Sequence, residues 1–299
     1  MSVIVTGGAG FIGSHVVDRY WGNGQDVTVI DDLSTGHKGN LPAGVELHQL
    51  SITSSDVSDL IERIRPEVVV HCAAQISVPV SMARPLEDLE INVLGTSRLV
   101  SACKRAGVGR FVFISSGGAI YGETRGPATE ITLPNPASFY GVHKLAAEYH
   151  VILSGLSYSI LRPSNVFGPR QRNDQEGGVV SIFVDAAIQR NPITIYGNGE
   201  QQRDFIHVDD VVEAVEKTAD IDVNGVWNVS TSVVTTINEL AEITESVTDF
   251  HIERKRAPAR PGDVLYSCLD SSQIQRDLGW RPNVSLRDGL EQMLAHRTG

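Results

Sequence analysis

Short apolar runs at residues 3–5, 26–30, 45–47, 67–71, 110–114 and 158–161 alternate with longer stretches at 11–21, 54–64, 85–106 and 137–153. Their lengths and apolar spacing predict strands for the first set and helices for the second. Regular alternation of strand and helix predicts an α/β fold, a parallel sheet with helices on both faces. The run Glu67-Val68-Val69-Val70-His71 is apolar on both sides, as a covered central strand requires. Beyond Pro163 the texture changes. Residues 163–203 are rich in Gly, Pro, Asn and Gln around one helical run at 179–190, and helical patterns recur at 208–218, 237–247, 271–278 and 285–296. We expect a sheet domain over 1–162, to which part of 204–230 returns. Residues 163–203 and 231–299 then form a smaller lobe over the C-terminal strand ends, where ligands of open α/β sheets bind.

Between the first strand and the first helix lies T-G-G-A-G-F-I-G, with glycines at Gly7, Gly10 and Gly13. Glycine permits a tight turn and lets the backbone approach a pyrophosphate, and the helix N-terminus beyond it attracts negative charge. The second strand ends at Asp31-Asp32, and Asp31 follows Gly13 by 18 residues. That is close to the ~20 expected of an acid bonding an adenosine ribose. The context predicts a Rossmann-type dinucleotide site. An acid there repels a 2′-phosphate, which points to NAD.

Tyr140 and Lys144 stand four apart at the start of a predicted helix, a spacing that shares one helix face. An isolated phenol titrates near 10 and is a weak base at neutral pH. A nearby ammonium and a positive nicotinamide ring stabilise the phenolate. The pair therefore suits a general base that removes a hydroxyl proton as hydride leaves the same carbon. His143 points about 100° around the helix from both neighbours and reads as a helix-surface residue.

With 25 Lys and Arg against 36 Asp and Glu, the net charge is −11, which argues against a nucleic-acid partner or an anionic membrane surface. Cys72, Cys103 and Cys268 are odd in number and widely spaced, as in a reduced, cytoplasmic protein. No apolar run approaches the ~18 residues of a membrane helix, and the first residues read as a strand and not as a signal peptide. No histidine spacing suggests a metal site.

Taken together, several stretches resemble the extended short-chain dehydrogenase/reductase family on its nucleotide-sugar 4-epimerase branch. They are residues 6–15, D-D-L-S-T-G at 31–36, H-C-A-A-Q at 71–75, S-S-G-G-A-I-Y-G at 115–122, the Tyr140/Lys144 pair, L-R-P-S-N-V-F-G-P-R at 161–170, R-D-F-I-H-V-D-D at 203–210 and R-P-G-D at 260–263. The resemblance spans essentially the whole chain. It implies that Phe11 and Ile12 lie along the pyrophosphate. Asp31, Asp32, Leu33, Ser34, Thr35 and Gly36 surround the adenosine ribose, and Ser51 and Ile52 flank the adenine. Ala73, Ala74 and Gln75 line the cofactor groove, with Asn92 on the long helix beyond. Lys144 bonds the nicotinamide ribose. Asn165, Arg203 and Arg260 meet a diphosphate, Thr194, Ile195 and Tyr196 frame a uracil, and Asp263 meets its ribose. Arginine forks suit phosphate oxygens. A homodimer through the helices at 85–106 and 137–153 is implied as well.

The activity implied is 4-epimerisation of a UDP-hexose, UDP-glucose to UDP-galactose, through a 4-keto sugar. UDP-glucuronate or a UDP-pentose is the rival substrate. A non-catalytic dinucleotide sensor is the rival of another class. Dehydratases carry an acid pair where this chain has Gly118-Ala119, which disfavours elimination. Three positions depart from the family pattern. Gly117 stands where a Ser or Thr bonds the reacting hydroxyl; Ser116 is the candidate substitute, Ser115 the reserve, and a water a third option. Ser51 replaces an adenine-binding Asp. Ser267 is small where some members close the sugar pocket, which would admit a 2-N-acetyl group. Titration of apoprotein is expected to show NAD binding more tightly than NADP; equal affinity would remove Asp31 from the ribose.

Overall fold

The computed structural model describes residues 1–173, 178–259 and 264–298. Six strands predicted from the first half appear as β1 (Ser2–Thr6), β2 (Asp26–Ile30), β3 (Glu46–His48), β4 (Val68–His71), β5 (Arg110–Ile114) and β6 (Tyr158–Pro163). Seven further strands follow among the described residues: β7 (Asn165–Phe167), β8 (Ile193–Tyr196), β9 (Gln202–His207), β10 (Gly225–Val229), β11 (Val234–Thr236), β12 (Arg254–Ala257) and β13 (Tyr266–Ser267). The main sheet runs β10-β6-β5-β4-β1-β2-β3, and every neighbouring pair is parallel. Strand order reverses between β1 and β4, which opens a crevice at their C-terminal ends.

Side chains alternate across the sheet. Val3 and Val5 of β1 face Val16, Val17, Val211 and Val215 of the helices Phe11–Gly22 and Val208–Ala219. Ile4, Val69 and Phe113 face the other way, onto Leu60, Leu99 and Ala147 of the helices Asp56–Ile64, Thr96–Ala106 and Phe139–Ile152. The chain after β6 builds a second unit, in which β7, β9, β11 and β13 form a small sheet and β8 pairs with β12. Phe167, Phe183, Ile195, Phe205, Leu240 and Met293 pack in its core.

Residues 85–106 do not form the one regular helix that their periodicity predicts. The chain is α-helical at Pro85–Leu89, widens to a π-helix at Glu90–Gly95 and returns to α at Thr96–Ala106. A Cβ on Gly95 would lie 2.9 Å from Ile52 Cδ1, and Thr96 Oγ1 donates to the Asn92 carbonyl at 2.7 Å. Such widened turns gather at functional sites.

A buried polar chain joins the two units. Arg162 on β6 donates to both oxygens of Glu148, at 2.9 and 2.5 Å, and to Tyr121 Oη at 2.7 Å. Ser115 Oγ donates to Glu148 Oε1 at 2.5 Å. Tyr121 Oη donates to Asn228 Oδ1, and Asn228 Nδ2 reaches the carbonyls of Ala128 and Asp270. Arg162→Met would leave the Glu148 charge buried without its partner, with an expected loss of about 3–5 kcal/mol. Denaturant unfolding checks this, and a change below about 1 kcal/mol would show that the pair is dispensable.

Candidate active site

The glycine turn fits a dinucleotide by what it leaves out. Gly7 leaves β1 at φ +67°, and a Cβ there would fall 2.6 Å from Ala73 N; a Cβ on Gly13 would fall 2.1 Å from Gly7 O. These contacts bring the first turn, the first helix and the end of β4 together at the crevice. The helix begins after Gly10 with no side-chain cap, so its first N–H groups suit an anion.

Asp31, buried at the end of β2, accepts from Ala9 N at 2.9 Å and Leu33 N at 2.8 Å. Burial raises its pKa and those N–H groups oppose the rise. Each oxygen keeps further acceptor capacity, as a ribose diol requires. Asp32 is turned to its own loop, accepting from Ser34 N and Ser34 Oγ. Leu33 holds φ +60°, and Gly36 leaves room beside the Asp31 carboxylate. Arg172 donates to the Thr35 carbonyl at 2.9 Å, bridging from the second unit. Ile52 is buried, and Ser51 Oγ pairs with Thr53 Oγ1 at 3.0 Å.

Ala73 and Ala74 are half-buried beside the turn. Asn92 Nδ2 donates to the Gln75 carbonyl at 2.8 Å, and Gln75 N donates to Asn92 Oδ1 at 3.0 Å. The Gln75 amide bonds Ser77 and Asp88. Gln75 and Asn92 thus brace the wall of the groove.

Ser116, Tyr140, Asn165, Arg203 and Ser267 line one cavity of about 320 Å³, with Val78, Gly118 and Ser164. Ser138 starts the Tyr140 helix by accepting from Gly141 N at 3.2 Å. Lys144, one turn on, is buried; its Nζ donates to the Ile114 carbonyl at 2.7 Å and lies 4.3 Å from the Phe113 ring centroid. Burial pushes Lys144 down to about 8, opposed by Glu148.

Burial pushes the Tyr140 phenol up to about 12; a hydrogen bond with Ser116 opposes this and the Asp88 charge adds to it. The expected phenolate rests on the ammonium and a positive nicotinamide ring together. In the protein by itself, desolvation outweighs the groups that favour phenolate.

The two serine options separate on geometry. Strand β5 ends at Ile114 and a short helix starts at Gly117. A Cβ at Gly117 would meet Leu269 Cδ1 at 2.5 Å, so a side chain there would have to displace the Leu269 side chain. Ser115 is buried on Glu148. Ser116 precedes the short helix without using its hydroxyl as a cap, and bonds Tyr140.

In the second unit, Asn165 Nδ2 donates to the Asp204 carbonyl at 2.9 Å. The Asp204 carboxylate gathers Ser164 Oγ, Thr231 N and Ser232 N. Arg203 bonds the Gln202 carbonyl. Thr194 is exposed, Ile195 is buried in the lobe core and Tyr196 is half-buried, all in the β8–β12 pair and away from the cavity's lining. Arg260 and Asp263 lie outside the described residues.

His143 is not a surface residue: it is buried, and its Nδ1 meets Asp88 Oδ2 at 2.5 Å. Helical periodicity could not show this, because the segment at 78–95 covers that face of the helix. Asp88 itself carried no sequence signal beyond standing four before Asn92. Among the described residues, no group of three or more His, Cys, Asp or Glu could hold a metal ion, and no helix is long and apolar enough to cross a membrane.

A doubly wound sheet with a glycine turn at its switch point and a Tyr–Lys helix beside it defines a dinucleotide-dependent enzyme of the short-chain type. The chain belongs to the NAD dependent epimerase/dehydratase family, whose model matches residues 3–230. A UDP-glucose 4-epimerase of Mycolicibacterium smegmatis is 39% identical over 97% of this chain and 96% of its own. The UDP-glucose 4-epimerase of Thermus thermophilus, solved with NAD, superposes with a TM-score of 0.95 at 37% identity, covering 100% and 99% of the two chains. A UDP-N-acetylglucosamine 4-epimerase of Methanobrevibacter ruminantium, solved with UDP-N-acetylmuramic acid, gives 0.94 at 34%, covering 99% and 97%. These neighbours share the expected fold and differ in the sugar, and NAD is the cofactor of the family.

Ser116→Ala is expected to slow turnover about tenfold or more. Steady-state kinetics on a nucleotide sugar test this, and an unchanged rate would remove Ser116 from the chemistry.

Proposed function

We propose that this protein is a UDP-hexose 4-epimerase that interconverts UDP-glucose and UDP-galactose and also accepts their 2-N-acetylated counterparts. One observation carries the reading: a single cavity holds Tyr140, Ser116, Asn165, Arg203 and Ser267. Bound NAD supplies a hydride acceptor that becomes the donor in the return step, and its positive ring favours the Tyr140 phenolate. Tyr140 takes the proton from the sugar 4-hydroxyl as hydride leaves C4, and gives it back to the same oxygen once the 4-keto sugar has turned and hydride returns to its other face. Ser116 bonds the same hydroxyl and holds the phenol in line. Lys144, fixed on the Ile114 carbonyl, orients the nicotinamide ribose and adds positive charge. Asn165 and Arg203, with Arg260, hold the diphosphate while the hexose turns, and Asp263 and the strand at 194–196 secure the uridine end.

Breadth toward N-acetyl sugars is supported by the small residues of the cavity. A Cβ on Gly118 would meet only Ser267 Oγ, at 3.8 Å, so neither residue crowds the sugar. The homodimer belongs to the same reading. Leu86 is 79% exposed and Leu153, just past the helix at 139–152, is 80% exposed; Leu94, Val142 and Tyr149 are exposed with them on the helical segments at 85–106 and 139–152. Apolar exposure on that scale marks an interaction surface. Three free cysteines agree with a cytoplasmic setting.

Purified protein incubated with UDP-galactose and no added cofactor is expected to yield UDP-glucose on nucleotide-sugar chromatography, and UDP-GalNAc to yield UDP-GlcNAc. Turnover of UDP-glucuronate alone would overturn the hexose assignment. Absence of any conversion, with added NAD as well, would overturn the reading as a whole.

A further inference from the structure

One carboxylate near the site lies outside every motif the chemistry uses. Asp88 has no exposed surface. Its Oδ2 meets His143 Nδ1 at 2.5 Å, and its Oδ1 accepts from Gln75 Nε2 at 2.5 Å and from Asn92 Nδ2 at 3.1 Å. A carboxylate only accepts, so His143 carries its proton on Nδ1. A charge taken fully out of water persists only when such partners are in place.

The three partners come from three different segments. His143 sits on the helix that carries Tyr140 and Lys144. Asn92 sits in the π-helix. Gln75 follows β4, and its amide grips Ser77 at both ends: Oε1 accepts from Ser77 N at 2.5 Å and Nε2 donates to Ser77 O at 3.1 Å. Ser77 Oγ in turn caps the helix Val78–Ala83 by accepting from Val80 N, and Val78 lines the cavity together with Tyr140 and Ser116.

We propose that Asp88 is a positioning residue that clamps the Tyr140 helix to the Gln75–Val78 wall, fixing the distance between the base and the far side of the sugar pocket. The kinetic consequence rests on the 4-epimerase reading; the structural consequence rests on the geometry alone. Misplacing a reacting group by about 1 Å can cost on the order of a hundredfold in rate.

Three variants test the clamp. Asp88→Asn and His143→Leu are expected to lower kcat on UDP-galactose at least about tenfold, with KM within about twofold because the nucleotide end is held elsewhere. His143→Asn, which keeps a donor near the Nδ1 position, is expected to recover most of the rate. Amide hydrogen exchange at residues 75–78 reads the clamp without turnover, and should quicken in Asp88→Asn and His143→Leu but stay near wild type in His143→Asn. Unchanged kcat and unchanged exchange in the first two variants would overturn the proposal. So would a loss in His143→Asn as deep as in His143→Leu. A protein that turns over no UDP-sugar, yet exchanges faster at 75–78 in these variants, would overturn the functional reading and leave the clamp standing.

Discussion

The bidentate pair between Glu148 and Arg162 is the interaction on which the site depends. Glu148 lies one turn beyond Lys144 and two beyond Tyr140 on a single helix. Its carboxylate fixes that helix against β5 through Ser115 and against β6 through Arg162. Arg162 then reaches Tyr121, and Tyr121 reaches Asn228, whose amide holds the segments at Ala128 and Asp270. The base, the floor of the sheet and the second unit therefore share one polar network. Such a pair gives little net stability over well-packed apolar groups, but breaking it is costly. Its worth here lies in geometry, because it sets where Tyr140 stands relative to Asn165 and Arg203.

Around that network the pocket is shaped as much by missing side chains as by present ones. Gly7 and Gly13 let the first turn press onto β4 and onto itself. Gly117 lies against Leu269, and Ser116 beside it lines the cavity with Tyr140. Gly118 and Ser267 leave the sugar end open. The electrostatics follow the same economy of space. Tyr140 and Lys144 are both desolvated, one pushed above its ordinary range and the other below it. The phenol is therefore neutral in the protein alone while the Lys144 ammonium keeps most of its charge at neutral pH, and positive charge brought by a cofactor favours the phenolate further.

The sheet was legible because parallel strands buried on both faces announce themselves as apolar runs, and all six predicted strands of the first half lie in it. The glycine turn, Asp31 and the Tyr140/Lys144 pair were legible because their chemistry is local in sequence. What escaped was set by distant contacts. Periodicity made one helix of 85–106, whereas its middle widens to a π-helix where Gly95 lies against Ile52 and the Thr96 hydroxyl bonds the Asn92 carbonyl. It placed His143 on the surface, whereas a segment more than fifty residues earlier buries it on Asp88. Gln75 read as a groove-lining side chain, and the structure uses its amide to hold Ser77. The choice between Ser116 and Ser115 turns on where β5 ends, which strand alternation alone could not say.

The central claim is that hydrogen leaves C4 of the sugar and returns to the same carbon on its other face. UDP-galactose carrying deuterium at C4 tests it most directly, with mass and position of the label read in the UDP-glucose formed. The account predicts that deuterium stays at C4 in both sugars through many turnovers. Loss of the label to water would contradict it, because the inversion would then proceed by removing a proton from carbon and not by moving a hydride.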